Sequence, residues 1–234
     1  MKKILVFALL ISALAAPPSH ALQILANFRG YDWSWPNPSC LDCPNTYYEA
    51  QGLLTSANAT YLTLNTIQKE YTVVVGDDLF LADADTFGVT VVCHFINGSV
   101  YVMCDDKTLG TPATWNVDGE CDPFLDRLRF ADGEQLLAGN FYNFDVVFDR
   151  NTGNGSTQGF VNWLGGTQLG NIPVNLRGGW SFESIGLRTA NTPCGYHWDI
   201  NGDATLQQPV AAQPATWGQI KASGGSPGTV LIRH

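Results

Sequence analysis

The sequence predicts an all-β fold, an antiparallel β-sandwich or jelly roll of about ten strands with little helix. Short runs that alternate apolar with polar residues recur at intervals of roughly 8–12 residues, which is typical of such strands. The chain has 16 Asp but only 5 Glu, and Asp favours turns whereas Glu favours helices. Its 234 residues include 24 Gly and 12 Pro, which suits many turns. A sheet closed on itself is the structural alternative.

The first 21 residues predict a secretory signal peptide. Lys2 and Lys3 precede an uncharged apolar run at residues 4–16, and small residues at positions 19 and 21 suit a signal peptidase. A run of about 13 residues is shorter than the roughly 20 that a membrane-spanning helix needs. We therefore expect a mature chain that is secreted, displayed at the cell surface or periplasmic, without a transmembrane segment.

Net charge restricts the partners of the mature chain. The whole sequence has 12 Lys+Arg and 21 Asp+Glu, a formal charge of −9. Removal of the two signal-peptide lysines leaves 10 basic against 21 acidic residues, a net charge of −11. Such a chain repels nucleic acid and anionic lipid. We exclude nucleic acid and expect a glycan or an extracellular protein as the partner.

Six cysteines in the mature part of an exported chain predict disulfide bonds. They are Cys40, Cys43, Cys93, Cys104, Cys121 and Cys194. The first two can close a small loop together, which leaves Cys121 for Cys194. Zinc at the Cys40–Cys43 pair would need a second pair of ligands, and the sequence shows none at a suitable spacing.

A third disulfide depends on the turn between two predicted strands. If residues 98–99 form a type II′ turn, Cys93 faces Cys104 directly, at a separation that a disulfide accepts. If residues 97–98 form a type I′ turn, the two cysteines are diagonal neighbours instead. The sequence leaves both turns open.

The mature chain divides into three predicted parts. Residues 22–45 are expected to be an irregular N-terminal segment, and residues 46–206 the β-sandwich domain. Residues 207–234 are rich in Pro, Ala, Gln, Gly and Ser, which predicts a flexible linker and tail.

Strands are expected within the domain wherever the alternation is clear. Tyr142, Phe144, Val146 and Phe148 share one face of the best example. One helical turn is expected within Pro123–Phe130. The predicted strands are 47–54, 61–65, 70–75, 88–95, 100–104, 134–139, 141–148, 158–164, 179–187 and 196–206.

Several short motifs carry a resemblance. They are YEAQG at 48–52, NWLGGTQ at 162–168, GWSF at 179–182 and GYHWDINGDATL at 195–206. In this order they resemble a group of uncharacterised secreted bacterial β-sandwich proteins. TWGQIK at 216–221 is similar to a short C-terminal signature on many exported bacterial proteins. The resemblance implies a bacterial source, secretion and a β-sandwich, and it implies no activity, ligand or catalytic residue.

Candidate ligand-binding residues come from aromatic side chains in predicted loops. Trp33, Trp35 and Trp115 are such residues, and their rings can stack on the apolar faces of sugars. The alternative is that they fold back and plug the ends of the sandwich.

A candidate calcium site follows the strand that ends at Phe148. Asp149, Asn151 and Asn154 alternate with other residues in a Gly-containing loop, and Ca²⁺ takes six to eight oxygen ligands. The alternative is a plain turn, because Asp, Asn and Gly are also the usual turn residues. Further on, His197 and Asp199 share one face of a predicted strand, which suits either a metal or a solvated surface.

No phosphate-binding loop or His-Glu-x-x-His motif is present. The leading prediction is a secreted or cell-surface structural or interaction module without catalytic residues. A carbohydrate-binding module, using loop aromatics with or without Ca²⁺, is the alternative. A jelly-roll polysaccharide hydrolase is the third possibility, since the spacing of paired carboxylates is set by the fold.

Overall fold

The structure is a computed structural model that describes residues 24–36, 40–116, 119 and 121–207, with only the backbone for 201–207. The predicted signal peptide, and the tail from residue 208 onwards, lie outside the described residues. Within them, no helix has the length and apolar character needed to cross a membrane.

The described residues form ten antiparallel strands and one α-helix, which confirms the predicted all-β class. The helix, α1, is Pro123–Phe130, and two short 3-10 helices span Leu169–Asn171 and Val174–Leu176. The strands are β1 (Ile24–Trp35), β2 (Tyr47–Ala57), β3 (Lys69–Gly76), β4 (Phe80–Phe87), β5 (Thr90–Ile96), β6 (Ser99–Asp106), β7 (Glu134–Asp149), β8 (Gly155–Gly165), β9 (Trp180–Gly186) and β10 (Trp198–Gln207).

All ten strands belong to one hydrogen-bonded sheet that encloses one core in a sandwich-like arrangement. β5 and β6 pair in succession along the same edge of β7, and β3 and β4 do the same along β2. Each of these pairs therefore acts as one long strand with a kink. When β3 with β4, and β5 with β6, are each counted as one long strand, every strand pairs with the next one in the sequence. The last strand, β10, pairs with the first, β1. The up-and-down sheet closes on itself, as the structural alternative expected.

The two kinks pack against each other. Residues 77 and 78 have φ values of 48° and 71°, and residues 97 and 98 have φ values of 63° and 82°. A Cβ atom at Gly98 would lie 2.7 Å from the side chain of the fully buried Leu79. Only glycine fits there, because both the positive φ and the close approach exclude a side chain.

Aromatic side chains fill the interior. A closed sheet of about eight strands is just wide enough to be filled in this way. Trp163 and Trp180 are at most 1% exposed, and Trp198 is 4% exposed. Phe144 contacts Tyr48, Phe95, Phe141 and Phe182.

The prediction of an irregular segment over residues 22–45 is wrong for Ile24–Trp35, which forms β1. This strand pairs with β2 on one edge and with β10 on the other. Its inward positions include Ala26, Gly30 and Ser34, which are small or polar, whereas its outward positions include Trp33 and Trp35. Phe28 still packs inward against Phe182, but from Gly30 onwards the polarity of the two faces is inverted relative to an ordinary strand, because a second layer covers the outside.

That second layer is built around α1, which lies in the β6–β7 connection. The Asp122 side chain accepts a hydrogen bond from the Phe124 amide at 3.0 Å, and Pro123 opens the helix, as is usual for an N-terminus. The Cys121–Cys194 disulfide ties this start to the β9–β10 connection. We call the rings between α1 and the sheet the outer aromatic layer: Tyr31, Trp33, Trp35, Trp115, Phe124, Phe130 and Tyr196.

The predicted Cys40–Cys43 and Cys121–Cys194 disulfides are both present, but the Cys93–Cys104 disulfide is wrong. Both of these cysteines are free and buried. Residues 97–98 do turn, but β5 and β6 continue along β7 instead of folding back on each other. Cys93 pairs with Val146 and Cys104 with Glu134, so about 12 residues of β7 separate them, roughly 40 Å at 3.3 Å per residue. A disulfide needs Cα atoms within about 7 Å.

Two further strand predictions need correction. Residues 61–65 leave a turn at Tyr61 and continue as irregular backbone, whereas Phe80–Phe87, which was not predicted, is β4. Tyr142 is 56% exposed and does not share the inward face with Phe144. The register of β7 against β8 shifts between residues 141 and 143, and this bulge turns Phe141 inward in place of Tyr142.

The cysteine assignment is tested by counting thiols. The denatured but unreduced mature protein should react with a thiol reagent at two cysteines per chain, Cys93 and Cys104. The folded protein should react slowly at both, since burial raises the pKa of Cys93 to about 12 and the thiolate is the reactive form. The double variant C93S/C104S should give no thiol in either state. A wild-type count of zero after denaturation would mean that these two cysteines are bonded.

Candidate functional site

Trp33 and Trp35, two of the three candidate sugar-binding residues, are packed in the outer aromatic layer. Trp33 is 1% exposed and meets the edges of Phe124 and Tyr196. Trp35 is half-buried and stacks on Tyr47 at a ring separation of 4.3 Å. It also donates a hydrogen bond from Nε1 to Glu49 Oε1 at 3.2 Å. The structure therefore uses these two rings to attach α1 to β1 and β2.

Buried polar groups complete that attachment. Arg127 of α1 forms ion pairs with Glu49 of β2 and with Asp77. The Tyr196 hydroxyl donates to Asp126 Oδ2 at 2.8 Å and accepts from Gln51. Burial raises the pKa of Glu49, and the Arg127 guanidinium opposes that increase. These carboxylates have structural partners, which accounts for their burial.

Trp115, the third candidate, borders an open groove. The groove has a volume of about 310 Å³ and crosses the outer faces of β10, β1 and β2. Its walls include the rings of Tyr31 and Trp115, which meet edge to face at 5.0 Å. Arg29 and Asp199 supply the charges. We call this surface, lined by Arg29, Tyr31, Leu53, Thr55, Trp115 and Asp199, the outer groove.

A second cavity opens at one end of the closed sheet, where the β1–β2, β7–β8 and β9–β10 connections meet. It has a volume of about 360 Å³. Apolar walls come from Leu41, Phe148 and Trp198, and charged or polar groups include Asp42, Asp149, Arg150, Arg188 and His197. We call this cavity the end cleft.

His197 is held in the end cleft as a neutral imidazole. Its Nε2 lies 3.0 Å from the Ser34 hydroxyl, and its backbone amide donates to the Asp32 carbonyl at 2.8 Å. Burial, together with the nearby Arg188 guanidinium, lowers the pKa of His197 to about 4. His197 and Asp199 thus contribute to different cavities and do not form a pair.

The two arginines of the end cleft differ in their partners. The Arg150 guanidinium forms an ion pair with Asp42 of the Cys40–Cys43 loop. Arg188 is exposed, and its backbone amide donates to Asn154 Oδ1 at 3.1 Å. Within the described part of the chain, no hydrogen bond or ion pair is found for its guanidinium.

The candidate calcium residues form a turn. Asp149 Oδ1 accepts hydrogen bonds from the amides of Asn151 and Thr152, both at 2.8 Å, and these bonds lower the pKa of Asp149. Asn154 directs its Oδ1 to the Arg188 amide instead. The described residues contain no group of three or more His, Cys, Asp or Glu side chains placed to hold a metal. The arrangement matches the plain-turn alternative.

Sequence reasoning missed most of the residues that line the two cavities. Arg29 and Tyr31 would have followed from recognising β1, since they alternate with inward residues. Arg150 and Arg188 had no signal, because an isolated arginine between strands ordinarily belongs to a solvated surface.

Comparison with protein-family models, with curated proteins and with solved structures finds no match to this chain.

A buried carboxyl group lies next to the end cleft, on the inward face of β1. Asp32 is fully buried, and its Oδ1 accepts a hydrogen bond from the Trp198 amide at 2.9 Å. The Tyr48 hydroxyl also bonds to this carboxyl group, but burial dominates and raises the pKa of Asp32 to about 7. Its Oδ2 has no hydrogen-bond partner in the described structure, which suits a protonated carboxyl group.

The lowered pKa of His197 predicts an acid-side loss of stability. An unfolded histidine takes up its proton near pH 6.5, whereas the folded one does so only near pH 4. The unfolded state therefore binds more protons between these values, and the free energy of unfolding should fall by about 3 kcal/mol as the pH drops through this window. H197Q should lack this loss when denaturant unfolding is compared at pH 7 and pH 4. Equal losses in the wild type and in H197Q would contradict the assignment, and H94Q is the matched control.

The raised pKa of Asp32 predicts the opposite dependence. The unfolded group loses its proton near pH 3.8 and the folded group near pH 7, so its stability contribution falls as the pH rises between them. D32N keeps an oxygen for the Trp198 amide and removes the charge. It should be more stable than the wild type at pH 8.5, by up to about 4 kcal/mol, with a much smaller difference at pH 4. The exposed D83N is the control, and a pH-independent effect of D32N would exclude this role.

Proposed function

We propose that the protein is an exported interaction module without catalytic residues, and that the outer groove is its ligand-binding surface. The observation that carries this proposal is the groove itself, where two aromatic rings and two opposite charges meet on an otherwise acidic molecule. The predicted signal peptide and the two disulfides support a location outside the cytoplasm. The motif resemblance supports a bacterial source.

The acidic groups argue against hydrolysis. A glycosidase needs two carboxyl groups across a cleft, and the general acid needs a raised pKa. Asp42 and Asp149 line the end cleft, but the first is paired with Arg150 and the turn amides lower the pKa of the second. Glu49, whose pKa is raised, lies beneath α1 with its side chain only 6% exposed. Asp32, whose pKa is also raised, is fully buried on the inward face of β1 and so cannot contact a substrate.

The chemistry of the outer groove favours carbohydrate as the ligand. Tyr31 and Trp115 offer ring surfaces on which a pyranose can pack, and Arg29 and Asp199 offer a donor and an acceptor for hydroxyl groups. A volume of about 310 Å³ is at the lower end of the range for ligand sites, which suits one or two sugar rings. Trp115 is the predicted sugar-binding residue that takes part. Trp33 and Trp35 act structurally instead.

The test is affinity electrophoresis of the mature chain in gels that contain soluble polysaccharides, with reducing ends measured in parallel. We expect one glycan class to retard the protein and no glycan to release reducing ends. Y31A and W115A should each weaken retardation about tenfold, the loss of roughly 1.4 kcal/mol of ring contact. Y142A removes an exposed tyrosine on β7 and should have no effect.

Four results would contradict parts of this proposal. Release of reducing ends would contradict the absence of catalysis. The lack of retardation by any glycan would exclude carbohydrate and leave an extracellular protein as the ligand. Equal weakening by Y31A and Y142A would place the binding surface outside the outer groove. Retardation that disappears with a calcium chelator would reopen the Asp149 turn as a metal site.

A further inference from the structure

We propose that the end cleft is a second binding site, and that it takes a small organic carboxylate whose anionic group docks on Arg188. The end cleft shares no lining residue with the outer groove. This inference therefore stands or falls independently of the proposed function.

The position and walls of the end cleft are those of a ligand site. Open ends of closed sheets are among the places where small-molecule sites occur, typically with apolar walls and a few polar groups. Here Leu41, Phe148 and Trp198 supply the apolar walls, and Trp198 and Phe148 contact each other at a ring separation of 6.1 Å. The volume of about 360 Å³ admits a ligand with one ring.

The guanidinium of Arg188 is held in place and available to bind an anion. Its stem lies along Gly153, where a Cβ atom would come within 3.1 Å of Arg188 Cδ. Its amide is fixed by Asn154, yet its guanidinium has no partner in the part of the chain that the structure describes. A guanidinium matches a carboxylate through two parallel hydrogen bonds.

The surrounding charges favour a monoanion. Asp42 neutralises Arg150, and the Asp149 carboxylate also lies on the wall. One guanidinium beside an acidic wall suits a carboxylate better than a phosphate dianion. The neutral His197, held by Ser34, adds a hydrogen-bonding group without a second charge.

The probe pair for the test is benzoate and benzamide, which have nearly the same shape but differ in charge. Calorimetric titration of the mature chain at pH 7.5 should show saturable binding of benzoate and binding of benzamide about 10-fold to 100-fold weaker, the usual effect of a charged hydrogen bond. Inorganic phosphate should bind more weakly than benzoate. Equal affinities for benzoate and benzamide, or tighter binding of phosphate, would overturn the carboxylate assignment.

Arginine variants locate the site. R188Q should weaken benzoate binding about 10-fold to 100-fold, and R188K, which keeps the charge but loses the two-pronged geometry, should lie between R188Q and the wild type. R29Q removes the arginine of the outer groove and should leave benzoate binding unchanged while weakening glycan retardation. Loss of benzoate binding in R29Q, or full binding in R188Q, would overturn the proposal.

A measurement on the unmodified protein avoids dependence on variants. The Trp198 indole donates its hydrogen bond to the Gly153 carbonyl at the end cleft. The Trp180 indole donates to the Leu176 carbonyl in the β8–β9 connection. Benzoate should shift the indole N–H resonance of Trp198 and leave that of Trp180 in place. A shift of Trp180 alone, or of neither, would exclude the end cleft.

Discussion

The structure depends on how β1 is buried on both of its faces. β1 joins β2 to β10, and this pairing closes the sheet. Phe28 packs inward against Phe182, but the inward residues that follow it, Gly30, Asp32 and Ser34, are small or polar. Its outward residues from Tyr31 onwards, Tyr31, Trp33 and Trp35, are aromatic and would expose a large apolar surface if nothing covered them. The Phe124 ring of α1 covers Trp33 and Trp35, so the packing of this helix stabilises the closed sheet.

The Cys121–Cys194 disulfide holds this cover in place. α1 has 8 residues, which is too short for stable helix formation in isolation. The disulfide joins two connections that are 73 residues apart in sequence, and closure of a loop this long removes much chain entropy from the unfolded state. Oxidation, the packing of the outer aromatic layer and closure of the sheet thus stabilise one another. This dependence suits a protein that folds outside the cytoplasm.

The sequence predicted the strands in which apolar residues face the core and polar residues face outward. Prediction failed in β1, where a second layer outside the sheet reverses this pattern. The later strands follow the apolar and polar pattern, but in β1 Trp33 and Trp35 face outward and Gly30 faces inward, which is typical of a loop. The prediction of a Cys93–Cys104 disulfide failed for another reason: β5 and β6 both pair with β7, whose paired residues lie 30 or more positions further along the chain. Each cavity contains two residues that the sequence singled out: Asp149 and His197 line the end cleft, and Trp115 and Asp199 line the outer groove. Arg29 would have followed from recognising β1, but Arg188 carried no local signal, because only the closed sheet brings it to a cavity.

The seam between β1 and β10 links sheet closure to the end cleft. Asp32 accepts hydrogen bonds from the Trp198 amide with its side chain and from the His197 amide with its carbonyl, so one residue of β1 holds the start of β10. Ser34, two residues further along β1, holds the imidazole of His197. The two titrating groups respond to pH in opposite directions between about pH 4 and 7. Acid favours the protonated Asp32 but disfavours the neutral His197, so their effects on stability partly cancel. Burial is the larger cause of the lowered pKa of His197, and repulsion from the Arg188 guanidinium adds to it. An anion bound to Arg188 would weaken this repulsion and so reduce the loss of stability that His197 causes in acid.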